Sequence, residues 1–234
     1  MVNKVPKNEL QNRMSRFRTN MDKSQPDWQL VVIFSKINQY YFTGTMQDGM
    51  LLIHRDREAE YYIRRSYERA LDESFFPVIK PMESYRTAAA DVGEIPHCVY
   101  LETEAVPIAI YKRFQKYFPF KNVLSMDFEI SMTRAIKSEY ELTLMKRSGK
   151  IHQKVLEERI PEILREGMSE AELATQLFSI MIEEGHHGIA RFGMYDTNML
   201  VGYICFGESS IYPTFFNGPG GNYGMSPAVP SFGS

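Results

Sequence analysis

The hydrophobic pattern of the chain changes character once, near residues 132–137, and this change constrains the fold more than any other feature. Before it, short apolar runs alternate with helical segments, and after it long amphipathic stretches follow clear capping signals. Short runs rich in β-branched residues are typical of buried strands, whereas apolar residues spaced by three and four are typical of helices. The sequence therefore predicts two domains, residues 1–133 and residues 134–234.

The first of these segments predicts an α/β domain. Leu30-Val31-Val32-Ile33-Phe34 is a continuous apolar run, which is the pattern of a strand buried on both faces. Strands that alternate with helices are characteristic of layered α/β architectures. The predicted strands lie at residues 30–34, 49–54, 60–63, 76–79, 98–101 and 123–126, and the predicted helices lie at residues 8–21, 67–71 and 107–118.

The second segment predicts helices followed by short strands. Residues 138–141 and residues 169–172 each read Ser-x-x-Glu, a capping box in which the hydroxyl and the carboxylate satisfy free backbone N–H groups. Pro161 lies inside the first helical pattern, so we expect it to kink that helix or to open a new first turn. Two strand-like runs follow near residues 189–194 and 199–206, before an irregular end rich in Gly and Pro.

Composition excludes several classes of protein. The chain has 27 Lys and Arg against 29 Asp and Glu, so it lacks the basic excess of a nucleic-acid-binding protein. Its longest apolar runs are too short to span a bilayer, and its polar N-terminus does not resemble a signal peptide. Cys98 and Cys205 are too few for a disulfide framework. We therefore expect a soluble, cytoplasmic protein that binds neither nucleic acid nor membrane.

The residues alone predict no catalytic group and no metal site. His-Glu-x-x-His, Cys-x-x-Cys and Gly-Lys-Ser/Thr motifs are all absent from the sequence, and residues 207–211 lack the last glycine of a nucleophile elbow. The glycine-rich residues 218–221 precede no predicted helix and are interpreted as a plain loop. His54 and His97 end predicted strands without a carboxylate or cysteine at ligand spacing, and His152 is expected to face solvent or pack beside its helix.

Two adjacent histidines, His186 and His187, lie just past a predicted helix end and are followed by Arg191. Adjacent side chains of an extended segment point to opposite faces, so the pair does not suit a single metal ion. One interpretation is a histidinium that interacts favourably with the C-terminal end of the helix dipole. The other is a site in which His187 and Arg191 bind substrate, and these two are the candidate substrate-binding residues.

Several stretches together resemble a known family of hydrolases. Residues 40–44 (Tyr-Tyr-Phe-Thr-Gly) after a buried strand, then residues 63–65 and 68–70, resemble the N-terminal domain of creatinase, Xaa-Pro dipeptidase and aminopeptidase P. Residues 134–146 resemble the stretch that opens the pita-bread catalytic domain of this family. Residues 167–174 (Gly-Met-Ser-Glu-Ala-Glu-Leu-Ala) are similar to the start of the second helix of that domain. The resemblance covers nearly the whole chain.

This resemblance implies a metal-dependent hydrolase that acts on peptides with proline in the second position. A pair of Mn²⁺, Co²⁺ or Zn²⁺ ions activates a bridging hydroxide in such enzymes. The family's ligands (two Asp, one His and two Glu) lie in the second half of the pita-bread domain. We therefore expect this chain to hold the N-terminal domain and the first half of the catalytic domain, to bind no metal pair and to be inactive alone. The position that matches the family's substrate-binding His falls near Ala228, and this chain has no His there.

The resemblance leaves two other functions open. One is a creatinase-like C–N hydrolase that acts on a small molecule. The other is a non-catalytic binding protein, since the pita-bread scaffold also occurs in such proteins and fold does not fix function. A homodimer is also expected, because members of this family close the active site with a partner subunit. The 15 Phe, 14 Tyr and 14 Met residues agree with that expectation, since aromatic residues and Met are enriched at interfaces.

Overall fold

The computed structural model describes residues 4–191, 198–213 and 224–227. The chain forms two compact units, Met1–Ser138 and Glu139–Ser234. The division falls between the last helix of the first unit, Asp127–Ala135, and the first helix of the second, Glu139–Lys154.

The first unit is built on a six-stranded mixed sheet, as the alternating pattern predicts. The three central strands β1, β2 and β3 are antiparallel neighbours, while β4, β5 and β6 each run parallel to the strand they join. The order across the sheet is β4-β3-β2-β1-β5-β6. The strands are β1 Leu30–Ile33, β2 Asp48–His54, β3 Glu60–Arg65, β4 Ile79–Pro81, β5 Cys98–Leu101 and β6 Asn122–Ser125.

Helices cover both faces of this sheet, so each face has a core of its own. Val31 and Ile33 of β1 pack into one core, whereas Leu30 and Val32 of the same strand pack into the other. A strand buried on both faces carries apolar side chains at every position, which explains the unbroken run in the sequence. The helices are α1 Lys7–Ser24, α2 Lys36–Thr43, α3 Tyr67–Glu73, α4 Tyr85–Val92, α5 Ile108–Gln115 and α6 Asp127–Ala135.

The strand predicted at residues 76–79 lies two to three residues further along the chain in the structure, as β4. Three helices of this unit, α2, α4 and α6, were not predicted. α2 ends in Tyr-Tyr-Phe-Thr, residues of low helix propensity, and Gly44 terminates it with a φ of 74°. α4 begins at a capping box made by Ser84 and Thr87 rather than by Glu or Gln. α6 follows β6 at once, inside the segment that sequence reasoning treated as a boundary.

A buried carboxylate joins two elements of this unit. Glu102, directly after β5, accepts hydrogen bonds from the backbone N–H groups of Phe34 and Ser35, each at 2.8 Å, and from Nδ2 of Asn38 at 2.5 Å. It thus fixes the residues that lead into α2, and Asn38 in its first turn, against the end of β5. Burial raises the pKa of Glu102, while the three donors oppose that rise because they favour the charged carboxylate.

The second unit consists of two helical segments and short irregular elements. α7 Glu139–Lys154 continues into a π-helical turn, Val155–Arg159, and then into α8 Ile160–Ile163. The sequence predicts a kink or a new first turn at Pro161, and Pro161 lies in the first turn of α8, directly after the π-helical turn. α9 is Glu170–Glu183, and the hydroxyl oxygen of Ser169 caps it by accepting from Glu172 N at 3.1 Å.

The second predicted strand of this unit, at residues 199–206, is shorter in the structure. β7 Ala190–Arg191 pairs antiparallel with β8 Asn198–Met199, and a 3₁₀ turn follows at Gly207–Ile211. The remainder of the predicted run at residues 189–194 falls partly outside the described residues. A small apolar core of Val155, Leu177 and Ile180 holds the helices together. Among the described residues, no helix is both long enough and apolar enough to cross a membrane.

Candidate functional site

A helix-terminating turn positions the two adjacent histidines of the second unit. Gly185 has a φ of 99°, and its N–H donates to Ile182 O at 3.0 Å. The N–H of His186 donates to Met181 O at 2.8 Å. This pair of bonds is a Schellman motif, which satisfies the last helical carbonyls and reverses the chain direction. The turn therefore fixes where His186 and His187 leave α9.

These histidines line one wall of a cavity of about 540 Å³, called here the histidine pocket. One face of α7 and the π-helical turn forms the opposite wall, with residues spaced by three and four along the helix. The lining residues on that helical face are Leu144, Arg147, Ser148, Ile151, His152 and Val155, and the remaining lining residues are Met181, Gly185, His186, His187, Ile189 and Ala190.

The polar side chains of the histidine pocket are mostly donors. Arg147 carries a fixed positive charge, and His152, His186 and His187 each offer a ring N–H. Among the described residues that line the pocket, none is Asp or Glu. A carboxylate accepts hydrogen bonds from such groups and is attracted by the guanidinium. The pocket therefore suits a small anionic ligand with an apolar part.

His186 and His187 occupy different environments. The ring of His186 packs edge-on to Phe178, with ring centroids 6.4 Å apart. Its buried Nε2 has no hydrogen-bond partner among the described residues. His187 is exposed and borders the pocket. A buried polar atom without a hydrogen-bond partner is destabilising. A ligand that hydrogen-bonds to His186 Nε2 would therefore remove this cost on binding.

Ion pairs hold the π-helical turn against the end of α9. Glu184 accepts from Lys154 Nζ at 2.6 Å and from Arg159 Nη1 at 3.0 Å, while Arg159 Nη2 donates to Glu183 at 2.9 Å. The hydrogen bond from Lys154 lowers the pKa of Glu184. The two cations also offset the unfavourable position of these carboxylates at the negative end of the helix dipole. This network keeps the two walls of the histidine pocket together.

The structure places the two predicted site residues differently. His187 lies in the lining of the histidine pocket, whereas Arg191 lies in β7 opposite Asn198 and outside that lining. Sequence reasoning missed Arg147 and His152 as lining residues, although Ser148 and His152 are four apart on one face. The available signal was this helical spacing, but it does not say which face of α7 turns toward His187.

The described residues do not form the metal centre that the family resemblance implies. Among residues 4–191, 198–213 and 224–227, no three His, Cys, Asp or Glu side chains converge in a way that could hold a metal ion. The adjacent histidines of the pocket are therefore not part of such a cluster. The position near Ala228, where the family's substrate-binding His falls, lies outside the described residues.

A second charged cluster lies in the first unit, around His54 at the end of β2. His54 Nε2 is 3.2 Å from Glu60 Oε2 and 3.1 Å from Arg57 Nη2. Lys80 Nζ donates to the other oxygen of Glu60 at 2.6 Å. Sequence reasoning found no carboxylate at a useful spacing from His54, because Glu60 meets it across the β2–β3 hairpin. The cluster binds the hairpin together and is open to solvent on one side.

A mixed six-stranded α/β domain, followed by a unit that opens with two helical segments, defines the class of this protein. Comparison with known families agrees with that class. Residues 13–136 match the creatinase/prolidase N-terminal domain family, and the chain belongs to that family. The fold predicted from the sequence, an α/β domain followed by the first part of a pita-bread domain, is confirmed by the structural neighbours.

Two curated relatives carry the same name. The Xaa-Pro dipeptidase of Pyrococcus horikoshii is 28% identical over 187 residues, which cover 78% of this chain and 50% of the relative. The Xaa-Pro dipeptidase of Pyrococcus furiosus is 26% identical and is matched over 56% of its length. The chain thus spans about half the length of the curated relatives it matches.

Solved structures give the same fold. The prolidase of Pyrococcus horikoshii superposes with a TM-score of 0.66 at 24% identity, covering 77% of this chain and 51% of that one. The Xaa-Pro dipeptidase of Bacillus anthracis superposes with a TM-score of 0.67 at 18% identity, covering 78% and 51%. Both likenesses extend from the first unit into the second.

Proposed function

We propose that the protein to which this chain belongs hydrolyses dipeptides that carry proline in the second position. The observation that carries the proposal is the match to relatives named Xaa-Pro dipeptidase across more than three quarters of the chain. The match to the creatinase/prolidase family over residues 13–136 supports it. In this proposal the chain supplies the N-terminal domain and the opening helices of the catalytic domain.

The metal pair of such an enzyme would polarise the scissile carbonyl and supply a hydroxide nucleophile. The described residues do not fit such a centre, so no step of the reaction is assigned to them. Their contribution under this proposal is to bind and orient the substrate.

We assign that contribution to the histidine pocket and its rim. His187 and Arg147 offer positive charge or N–H donors to the free carboxylate of a dipeptide, and Ile151 and Val155 offer apolar contact. Arg191 does not line the pocket itself, but it directly follows Ala190, which does. His187 and Arg191 are thus proposed to bind substrate, as the sequence predicts.

The test is an assay of proline release from Ala-Pro by the complete reading frame and by residues 1–234 alone, each with Mn²⁺ or Co²⁺. We expect metal-dependent turnover of Ala-Pro, but not of Ala-Ala, by the complete protein only. In that protein, His187→Ala should raise KM several-fold with little change in kcat, whereas His97→Ala, an exposed histidine of the first unit, should change neither.

Other outcomes favour the other functions. Turnover of creatine without turnover of Ala-Pro would support a C–N hydrolase, and binding of either ligand without turnover would support a binding protein. Two tightly bound metal ions per 234-residue chain in elemental analysis, or turnover by that chain, would contradict the assignment of the ligands to another part of the protein.

We also propose a cytoplasmic location. The sequence has only two cysteines, Cys98 and Cys205, too few for a disulfide framework, and such sparse cysteine usage suits a reducing compartment.

A further inference from the structure

A second cavity, of about 500 Å³, lies in the first unit along α1, and it is called here the α1 groove. One wall is the face of α1 that runs from Lys7 to Asp22. The lining residues of this face are spaced mostly by three and four, so they form one continuous stripe. The other wall consists of Glu58 and Ala59, in the connection from β2 to β3, and of residues 75–77, which precede β4. The histidine pocket of the second unit shares no residue with this groove.

The α1 groove combines an apolar floor with a partly exposed aromatic rim. Leu10, Met14 and Ala59 line it and are 4%, 8% and 3% exposed. Phe76 is half-buried, and Phe75 is 49% exposed. Ligand sites are typically concave and apolar, with a few polar groups that fix the ligand. Apolar side chains of a bound chain would be removed from water here, which stabilises a complex.

Positive charge marks the N-terminal end of the groove. Lys7 lies in the first turn of α1 and is exposed. Lys4 precedes the helix, and its Nζ lies 5.0 Å from the centre of the Phe75 ring, so Phe75 borders the same end. The first N–H groups of a helix have no intrahelical partner and add partial positive charge. This end therefore attracts a carboxylate.

Negative charge marks the other end. Arg18 donates to the backbone oxygens of His54 and Arg57, at 3.1 Å and 2.6 Å, and so holds the segment that carries Glu58 against α1. Asp22 lies one turn further along the helix. The last carbonyl groups of α1 add partial negative charge at this end. Two carboxylates thus line it against one guanidinium, so it attracts an ammonium group.

Glu58 is the stronger of the two acidic groups toward a ligand. Asp22 Oδ1 accepts from Trp28 Nε1 at 2.8 Å and lies 3.2 Å from Arg55 Nε, so much of its charge is offset. Glu58 is exposed, and its side chain forms no hydrogen bond or ion pair within the described part of the chain. An ammonium group would therefore pair mainly with Glu58.

The connection that leads to the second unit lies on the other face of α1. Glu9 accepts from the hydroxyl of Ser138, and Arg16 donates to Ile136 O, each at 2.8 Å. Lys7 and Arg16 are nine residues apart, and at about 100° per residue this separation places them on opposite faces of the helix. Residues 136–138 therefore leave the α1 groove uncovered.

We propose that the α1 groove binds a short apolar peptide with free termini, in an extended conformation, with its carboxylate at Lys7 and its ammonium group at Glu58. Along α1 the two ends are about 22 Å apart, since fifteen residues separate Lys7 and Asp22 at about 1.5 Å each. An extended chain covers about 3.3 Å per residue, so about six residues span that distance. A fatty acid of the same length has one charged end and would bring its apolar end beside the carboxylate of Glu58, which costs desolvation.

The first experiment measures how the termini of a peptide affect its binding. The probe is the hexapeptide Ala-Leu-Ala-Leu-Ala-Leu, which has no proline and so is not a substrate of the activity proposed above. Isothermal titration calorimetry of the metal-free 234-residue chain should give a dissociation constant of about 0.1–1 mM. N-terminal acetylation or C-terminal amidation should each weaken binding about two- to fivefold, the ordinary contribution of an exposed ion pair. The tripeptide Ala-Leu-Ala, too short to reach both ends, should bind more weakly than the hexapeptide.

Matched variants locate the peptide in the groove. Lys7→Gln should weaken binding of the free hexapeptide about two- to fivefold but not that of its amide, and Glu58→Gln should weaken the free hexapeptide equally but not its acetylated form. Lys112→Gln and Glu94→Gln, at exposed positions outside the groove, should change neither. No saturable binding up to about 5 mM, equal losses in these two controls, or indifference to both caps would overturn the proposal. Tighter binding of decanoate than of the hexapeptide would also overturn it, because the groove would then take an amphiphile with one charged end.

Discussion

At the scale of single residues, His54 is a buried titratable group with charged partners on both sides. Its Nε2 lies between the guanidinium of Arg57 and the carboxylate of Glu60, and it can accept from the first or donate to the second, but not both. Arg18 donates to the backbone oxygen of His54 from α1. Arg57 also reaches Val92 O at 3.3 Å, so it links the β2–β3 turn to the end of α4.

This geometry predicts a pH dependence of stability. Burial, with help from Arg57 and Arg18, lowers the pKa of His54, while Glu60 opposes the change. The unfolded chain then binds more protons than the folded chain between the lowered pKa and the ordinary value of about 6.5. Stability should fall as the pH falls through that window. Urea unfolding of the wild-type chain between pH 7.5 and pH 5.5 measures this loss.

His54→Gln should lose less stability over the same range, because a glutamine does not titrate. The matched control is His97→Gln, since His97 is exposed and should leave the pH dependence of the wild-type chain in place. Parallel pH profiles of the wild-type chain and His54→Gln would show that the acid sensitivity arises elsewhere.

At the scale of elements, the sequence predicts strands well when both of their faces are buried. It predicts helices less well when tertiary contacts, rather than local propensity, make a segment helical. β1 and β2 follow directly from their apolar runs. α2 does not, because Tyr40, Tyr41 and Phe42 favour strands by propensity and are helical only through tertiary packing and the hydrogen bonds of Glu102 at the start of the helix.

The histidine pocket, too, depends on tertiary contacts that the sequence pattern does not predict. The helices that form its walls were predicted, and so was His187 as a candidate. The relative rotation of α7 and α9 depends on the π-helical turn and on ion pairs between residues about 25 to 30 positions apart in the chain. Such distant pairs leave no periodic signal, so Arg147 and His152 could not be assigned to the pocket from sequence.

We predict opposite effects on stability when two glycines of the second unit are each replaced by alanine. Gly185 has a φ of 99°, and a methyl group on its Cα would have no neighbouring atom within 4 Å, so Gly185→Ala costs only backbone strain, about 1–2 kcal/mol. Gly149 is exposed in the middle of α7 with equal space around it, so Gly149→Ala should stabilise the helix by about 0.5–1 kcal/mol. Denaturant unfolding followed by circular dichroism measures both changes.

Gly149→Ala is also the control for Gly185→Ala, because it adds the same methyl group to the same unit. Gly185→Asn should recover part of the loss, since asparagine tolerates the left-handed region better than alanine. If Gly185→Ala proved neutral or stabilising, the Schellman turn would not be what positions His186 and His187.

At the scale of the whole molecule, the two units differ in how they are held together. The first has two extensive cores around one sheet, with Trp28, Phe42 and Phe114 fully buried. Among the described residues of the second, the core cluster has three buried members, and Leu144, Met145 and Leu156 in its first helical segment remain exposed. Buried apolar area supplies most of the free energy of folding. The first unit should therefore be the more stable of the two.

This difference leads to a prediction for limited proteolysis. Lys137 is exposed and lies in the connection between α6 and α7, beside Ile136, which is 68% exposed. Exposed connections are cut before packed elements. Brief trypsin treatment should release a fragment that ends at Lys137 and contains all six strands, and mass spectrometry identifies it.

The fragment should keep a cooperative thermal transition, because both of its cores are complete without the second unit. Lys137→Gln should remove this cleavage, whereas Lys150→Gln, at an exposed position inside α7, should leave it unchanged. Cleavage inside the sheet at the same rate, or a fragment that melts without cooperativity, would contradict an independently folded first unit.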